Sequence, residues 1–131
     1  MKAVRGEELS LAVNNGVGKL ADICEQVKNA GVNIRAINGY VVDAQAIFRL
    51  VTSDNTKAKQ TLSSLGTVES KDVVIAEIPD KTGELFALAA KLKQAGIDLT
   101  HIYGTTSVPG SSAIIVFASN NNSKALEVIG K

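Results

Sequence analysis

The sequence predicts an α+β fold made of two copies of one βαββαβ unit with antiparallel sheets. The first observation is an internal repeat: residues 15–20 return as residues 80–85, and residues 30–34 return as residues 95–99, a shift of 65 positions (80 − 15). The second is the order of apolar patterns, in which strand-like alternation and helix-like spacing succeed each other twice. Neither half of a 131-residue chain buries much core alone, so we expect the halves to share a sheet or an interface.

The first copy begins with a strand and a helix. Alternate residues from Leu9 to Val13 are apolar, which is the period of a half-buried strand, and a turn follows at residues 14–16. From Gly18 to Ala30 apolar residues recur at helical spacing, and the next residue is a glycine, the expected stop. We therefore predict a helix from about Gly18 to Ala30.

The rest of the first copy is predicted as a hairpin, a second helix and a long strand. The hairpin strands are residues 32–42 and 46–51, joined by a short turn. Asp54 and the two residues after it resemble a helix cap, and Gly66 is expected to end the helix that they open. Residues 67–78 then form one strand that leads into the second copy.

The second copy repeats this order but leaves one strand missing. Its predicted elements are a helix over about 83–95, strands over 97–106 and 113–119, and a last helix over 123–129. The βαββαβ order is ferredoxin-like, and after the last helix two residues remain. The repeat shift aligns residues 2–5 with the closing strand of the first copy. We therefore predict units of residues 1–70 and 71–131 that exchange end strands about a pseudo-twofold axis, with residues 2–5 closing the second sheet.

Composition and charge indicate a globular protein that binds neither nucleic acid nor membranes. Hydrophobic residues make up 45% of the chain, charged residues 21%, and the formal net charge is +1. The 14 Lys and Arg are scattered among 13 acidic residues, without the basic block that a polyanion attracts. No apolar run approaches the roughly 20 residues of a membrane span, and the N-terminus does not resemble a signal peptide. A single cysteine fits a reducing, cytoplasmic location.

The repeated motif resembles that of a known family. In each copy a turn of the form Asn/Asp-x-x-Gly-x-Leu opens a helix, and Ala-Gly-Val/Ile-Asn/Asp-Ile/Leu follows that helix. This pattern resembles the ACT domain, and its two occurrences extend the resemblance over nearly the whole chain, as in small tandem ACT proteins. The proline that usually precedes the motif glycine is absent, since Val17 and Thr82 stand there. The resemblance implies a regulatory module that binds a small molecule, most often an amino acid, where two such domains meet.

The resemblance implies a ligand site at the first turn, and the chemistry of the turn agrees. The turn delivers the N-terminus of a helix, whose unpaired N–H groups attract a carboxylate. Its glycines let a ligand approach the backbone, and Asn33 offers an acceptor to an ammonium group. The candidate ligand-binding residues of the first copy are Asn15, Gly16, Val17, Gly18, Lys19, Leu20, Asn33 and Ile34.

The matching positions of the second copy are more acidic. They form a second candidate site made of Asp80, Lys81, Thr82, Gly83, Glu84, Leu85, Asp98 and Leu99. Asp80 is expected to cap the following helix and so to occupy its amides, and the acids around it oppose a second carboxylate. We therefore expect the first copy to receive the ligand carboxylate, while the second copy is structural or supplies an acid to the ligand ammonium.

Other conspicuous residues have simple structural interpretations. Cys24 falls on the apolar stripe of the first helix, which favours core packing over reactivity. The adjacent acids Glu7-Glu8 are interpreted as solvated strand charges, and His101 as a surface or interface residue. Tyr40 and Tyr103 each neighbour a glycine and are expected to be half-buried strand residues or parts of a subunit interface.

The sequence shows no constellation for catalysis, a metal or a cofactor. It has one histidine and one cysteine, and the pair Gly16-x-Gly18 lacks the third glycine of a dinucleotide fingerprint. We therefore predict a non-catalytic regulatory protein, most simply a homodimer, that reports an amino acid or related metabolite to a partner such as a metabolic enzyme. Two alternatives stay open: a structural or assembly subunit that binds an enzyme and has no ligand of its own, and a small enzyme on a ferredoxin-like scaffold.

Overall fold

The computed structural model of the protein describes residues 1–106 and 108–130. Within these residues the chain forms six strands and four helices. In chain order they are β1 (Lys2–Asn14), α1 (Lys19–Asn29), β2 (Ile34–Val42), β3 (Gln45–Thr52), α2 (Asn55–Leu62), β4 (Thr67–Pro79), α3 (Glu84–Gln94), β5 (Leu99–Thr105), β6 (Ser112–Ser119) and α4 (Asn122–Ile129). None of the described helices has the length and apolar character that a membrane-spanning helix requires.

The chain folds into two compact units, which we call the first unit (Glu7–Lys71) and the second unit (Met1–Gly6 with Asp72–Lys131). Strand order in the first unit is β2-β3-β1-β4, and in the second unit it is β5-β6-β4-β1. Strand β3 pairs antiparallel with β1 and β2, and β6 pairs antiparallel with β4 and β5. The predicted fold class, two ferredoxin-like units with antiparallel sheets, is confirmed.

The N-terminal residues belong to the second unit. Ala3 packs against the apolar core of that unit, the Arg5 guanidinium pairs with the Asp72 carboxylate, and Arg5 also donates a hydrogen bond to Ser123 Oγ at 2.6 Å. Strand β1 continues from these residues into the first unit, just as β4 begins in the first unit and ends in the second. These contacts agree with the strand exchange that the repeat predicts.

Each unit has its own apolar core, in which helix residues pack on alternate strand residues. In the first unit the core includes Leu9, Leu11, Val13, Ile23, Val27, Leu50, Ala58 and Leu62. In the second unit it includes Val74, Ala76, Ile78, Leu88, Leu92, Phe117, Ala125 and Ile129. Because side chains alternate along a strand, the remaining residues of these strands lie on the sheet face away from the helices.

Two interpretations of single residues were wrong. Cys24 is exposed, because the buried stripe of α1 contains Ile23 and Val27 but does not extend to the neighbouring position. Glu8 is fully buried rather than solvated, and its Oε1 accepts a hydrogen bond from Arg49 Nη1 at 3.0 Å. The cause is the pairing of β1 with β3, which places Arg49 beside Glu8 on the face away from the helices.

Candidate functional site

A groove of about 490 Å³ lies in the first unit, beside the N-terminus of α1 and along the edge strand β2. Five of the candidate ligand-binding residues line it: Asn15, Gly16, Gly18, Lys19 and Leu20. The other lining residues come from β2 and β3, and they are Ile37, Gly39, Tyr40, Val41, Ala46 and Phe48. The structure thus brings the predicted turn together with a sheet surface that the motif alone does not contain.

The turn before α1 presents the helix N-terminus to this groove. Gly18 has φ +88°, a left-handed conformation, and no side chain caps the helix. The first hydrogen bond within the helix runs from Asp22 N to Gly18 O, at 3.0 Å. The three N–H groups before Asp22 therefore have no partner within the helix, and the positive end of the helix dipole lies at the groove. The turn is tied to the β2–β3 hairpin because Asn15 N donates to Ala44 O at 2.9 Å.

Lys19 contributes a positive charge to the groove. No ion pair among the described residues includes Lys19, whereas its counterpart in the repeat, Glu84, lies 3.8 Å from Lys81 Nζ. The groove therefore combines unpaired amides with an ammonium group, and both attract a carboxylate.

The wall of the groove opposite the turn is apolar. A Cβ added to Gly39 would lie 3.0 Å from two ring carbons of Phe48, so the glycine lets the ring approach the β2 backbone. Leu20, Ile37 and Val41 are 51%, 40% and 54% exposed and line the same groove. These β2 and β3 residues lie outside the repeated motif, although a glycine within a strand is a signal of close approach.

Three candidate residues of the first copy lie outside the groove. Val17 is fully exposed and does not line it. Asn33 N donates to Ser53 Oγ at 2.9 Å, Asn33 O accepts from Ser53 N at 2.8 Å, and Ile34 packs against the core. Both residues stand at the start of β2, while the groove is formed by the middle and end of that strand.

The corresponding place in the second unit is a smaller cavity of about 200 Å³. Of the candidate residues, Asp80, Lys81 and Leu85 line it, together with residues from the ends of β4, β5 and β6. Thr82, Gly83, Glu84, Asp98 and Leu99 do not line it. Asp98 N instead donates to Asn120 Oδ1 at 3.1 Å, and Leu99 packs against the core of the second unit.

The prediction that Asp80 caps the helix is wrong. Helix α3 begins after Gly83, which has φ +90° and, like Gly18, provides no side-chain cap. The Asp80 carboxylate accepts a hydrogen bond from Gly110 N at 3.0 Å instead. The β5–β6 connection is longer than the two residues between β2 and β3, so it supplies a backbone donor that Asp80 reaches. The carboxylate still places negative charge on the wall of this cavity.

Among the described residues, no group of three or more His, Cys, Asp or Glu side chains is placed to hold a metal ion. His101 and Tyr103 lie on β5 of the second unit, where their rings stack with centroids 6.1 Å apart. Neither residue lines the first-unit groove.

Solved structures share this fold over almost the whole chain. Protein BT0572 from Bacteroides thetaiotaomicron has a TM-score of 0.89 and 25% identity, and the match covers 98% of this chain and 88% of that one. The regulatory subunit of aspartate kinase from Thermus thermophilus has a TM-score of 0.72 and 10% identity, covering 99% and 95%. The corresponding subunit from Thermus flavus has a TM-score of 0.65 and 11% identity, covering 99% and 95%.

The sequence itself also matches a family. No curated protein sequence matched the chain. A family model described as an ACT domain pair matches residues 4–131, which include both copies of the motif and the groove of the first unit. The chain therefore belongs to the ACT domain pair family.

Proposed function

We propose that this ACT domain pair is a non-catalytic regulator that binds an amino acid or a related metabolite in the groove of the first unit. The observation that carries the proposal is the groove itself, in which the uncapped N-terminus of α1 and Lys19 face a volume of about 490 Å³. The ligand carboxylate is placed at this helix N-terminus. The ammonium group is placed against β2, because alternate carbonyl groups of an edge strand point away from the sheet.

The second unit is proposed to have a structural role at the equivalent place. Its cavity is less than half as large, at about 200 Å³, and the Asp80 carboxylate lies on its wall. Asp80 and Lys81 both line this cavity, so their opposite charges offset each other and a ligand carboxylate gains less attraction there than beside Lys19. The hydrogen bond from Gly110 to Asp80 gives this acid a role in holding the β5–β6 loop.

Regulation follows if the ligand binds one arrangement of the protein more tightly than another. The ligand then shifts the equilibrium between the two arrangements. The free energy of this shift cannot exceed the difference between the binding free energies of the ligand for the two arrangements. We propose that the protein is a homodimer and reports the ligand to itself or to a metabolic enzyme. The Thermus proteins of the same fold are regulatory subunits of aspartate kinase, and this precedent supports a metabolic enzyme as the partner.

A thermal-shift screen of the pure protein against the twenty amino acids tests this proposal. We expect one chemical class to raise Tm in a concentration-dependent way, because a ligand selective for the folded state stabilises it by mass action. Gly16→Asp should abolish the shift by placing a carboxylate beside Lys19. A Cβ at Gly16 comes no closer than 3.5 Å to another side chain, so this variant should fold normally.

The control is Lys81→Asp, which puts an aspartate at the equivalent position of the second unit and also removes the positive charge of the lysine there. We expect it to leave the ligand-induced shift intact. Gly18→Asp is a poorer test, because φ +88° strains any side chain at that position. No shift from any amino acid would contradict the proposal and favour a subunit that binds an enzyme without a ligand. Loss of the shift in Lys81→Asp alone would move the site to the second unit.

A further inference from the structure

We propose that the first-unit groove selects amino acids with apolar side chains of at least three carbons, such as valine, leucine or phenylalanine. This inference rests on the proposed function and names the ligand class for the same groove. It is carried by the chemistry of the groove wall formed by β2 and β3, a part of the site that lies outside the repeated motif.

The polar and apolar parts of the groove are separate. Lys19 carries the one formal charge among the described residues that line it, and the side chains of Lys19 and Asn15 lie at the start of α1 and in the turn before it. Tyr40 also lines the groove, but its hydroxyl accepts hydrogen bonds from Arg49. Across from the turn lie Ile37, Val41 and the ring of Phe48. A ligand whose carboxylate lies at the turn therefore directs its side chain toward an apolar wall.

The wall favours the binding of ligands with apolar side chains and disfavours the binding of ligands with polar side chains. Ile37 and Val41 are 40% and 54% exposed, so covering them removes apolar surface from water. A hydroxyl, amide or carboxylate placed against the side chains of Ile37, Val41 and Phe48 loses its water without gaining a side-chain partner, and burial of an unpaired polar group is unfavourable. The volume of about 490 Å³ leaves room for a branched or aromatic side chain beside the backbone groups of the ligand.

Pairs of amino acids with matching shape give the sharpest test. Calorimetric titration should show valine binding about tenfold or more tightly than threonine, and leucine more tightly than asparagine, because each pair differs mainly in polarity. The same screen includes aspartate and lysine as charged side chains. These comparisons use the unmodified protein and therefore do not depend on any variant folding.

The wall is tested with Val41→Thr, which preserves shape and strand propensity. We expect about a fivefold loss of affinity for valine. The matched control is Val42→Thr on the other face of the same strand, where the residue is 52% exposed and does not line the groove. The control should bind valine as the unmodified protein does. Sedimentation of both variants checks whether a second copy of the chain, rather than an amino acid, covers this wall.

Tight binding of valine or leucine that weakens in Val41→Thr supports the inference. Binding of threonine, aspartate or lysine as tightly as valine overturns the inference and leaves the proposed function standing. No binding of any amino acid overturns both. A dimer that dissociates in Val41→Thr, with affinity for valine unchanged, would also overturn the inference, because the wall would then be a subunit interface.

Discussion

Arg49 joins a buried acid, Glu8, to the exposed Tyr40 on the first-unit sheet. Its Nη1 donates to Glu8 at 3.0 Å, and its Nε and Nη2 donate to the Tyr40 hydroxyl at 3.3 and 3.1 Å. Partial burial lowers the pKa of Arg49, but its hydrogen bonds to Tyr40 and Glu8 outweigh burial, and the net pKa is raised. The repeat places Val73 and Val116 where the first unit has the ion pair.

The difference between the Glu8–Arg49 pair and its apolar counterpart in the second unit predicts how two variants change the free energy of unfolding. Arg49→Val alone should lower the free energy of unfolding by about 3 kcal/mol, because it leaves Glu8 buried without this partner. The double variant Glu8→Val with Arg49→Val copies the second unit and should recover most of that loss, since two apolar side chains replace the pair. Urea denaturation measures both values. A double variant no more stable than the single one would show that Glu8 is not the reason for the loss.

Individual residues were predictable where local chemistry decides their place. The turn from Asn15 to Leu20 was expected beside the ligand, and five of its six residues line the groove. The burial of Glu8 was not predictable, because its partner Arg49 lies 41 residues away and depends on strand register. The exposure of Cys24 depends in the same way on which face of α1 the sheet covers.

At the level of elements, two of the four helices begin with a side-chain cap. Asp54 accepts from Lys57 N at 3.1 Å before α2, and Asn121 accepts from Lys124 N at 3.0 Å before α4. Helices α1 and α3 have glycine in this position and no side-chain cap. The uncapped helices are those that begin at the groove and at its equivalent in the second unit, where a cap would occupy the amides.

Removal of a cap should therefore affect stability but not ligand binding. Asp54→Ala should lower the free energy of unfolding by about 1 kcal/mol, because Lys57 N loses its acceptor. Asp54→Asn keeps an acceptor oxygen and should lose little. Urea denaturation gives the stability of each variant. If both variants lost the same amount, the acceptor oxygen would not be the source of the effect.

The order of elements was predictable and their ends were less so. Strands β2 and β5 begin two residues later than predicted, at Ile34 and Leu99. The reason is that Val32 N donates to Val27 O and Ile97 N donates to Leu92 O, so both residues complete the ends of the preceding helices. The prediction that Gly66 ends the second helix placed the end too late, since α2 ends at Leu62 and is capped by Ser63.

For the molecule as a whole, residues 1–6 belong to the second unit although they precede the first unit in the chain. Ala3 packs against the core of that unit, while the next residue, Val4, is 60% exposed. Ala3→Asp should destabilise the second unit by about 2 kcal/mol, because it brings a carboxylate against apolar side chains. Hydrogen exchange should then show faster exchange in residues 72–130 than in residues 7–71.

The matched control for this prediction is Val4→Asp, which adds the same charge at the exposed neighbouring position. We expect its exchange to remain close to that of the unmodified protein. Equal acceleration in both units, or no acceleration in Ala3→Asp, would contradict a specific role of the N-terminal strand in the second unit.

The internal repeat made the large-scale organisation predictable, but not the whole groove. The two motif copies, the two units and the exchange of end strands are all expected from the 65-residue internal repeat. The lining by Ile37, Gly39 and Phe48 follows from strand pairing across the hairpin, and in particular from the pair Gly39 and Phe48. The difference between a cavity of about 490 Å³ and one of about 200 Å³ could not be predicted, because it depends on how the side chains of both strands pack.

The central proposal is that the ligand binds in the groove of the first unit and not in the cavity of the second unit. Titration of the isotopically labelled protein with the amino acid that gives the largest thermal shift tests it directly by NMR, with backbone amide shifts as the readout. We expect saturable changes at Asn15–Leu20 and Ile37–Val41, and much smaller ones at Asp80–Leu85. Changes concentrated at Asp80–Leu85, with residues 15–20 unmoved, would contradict it.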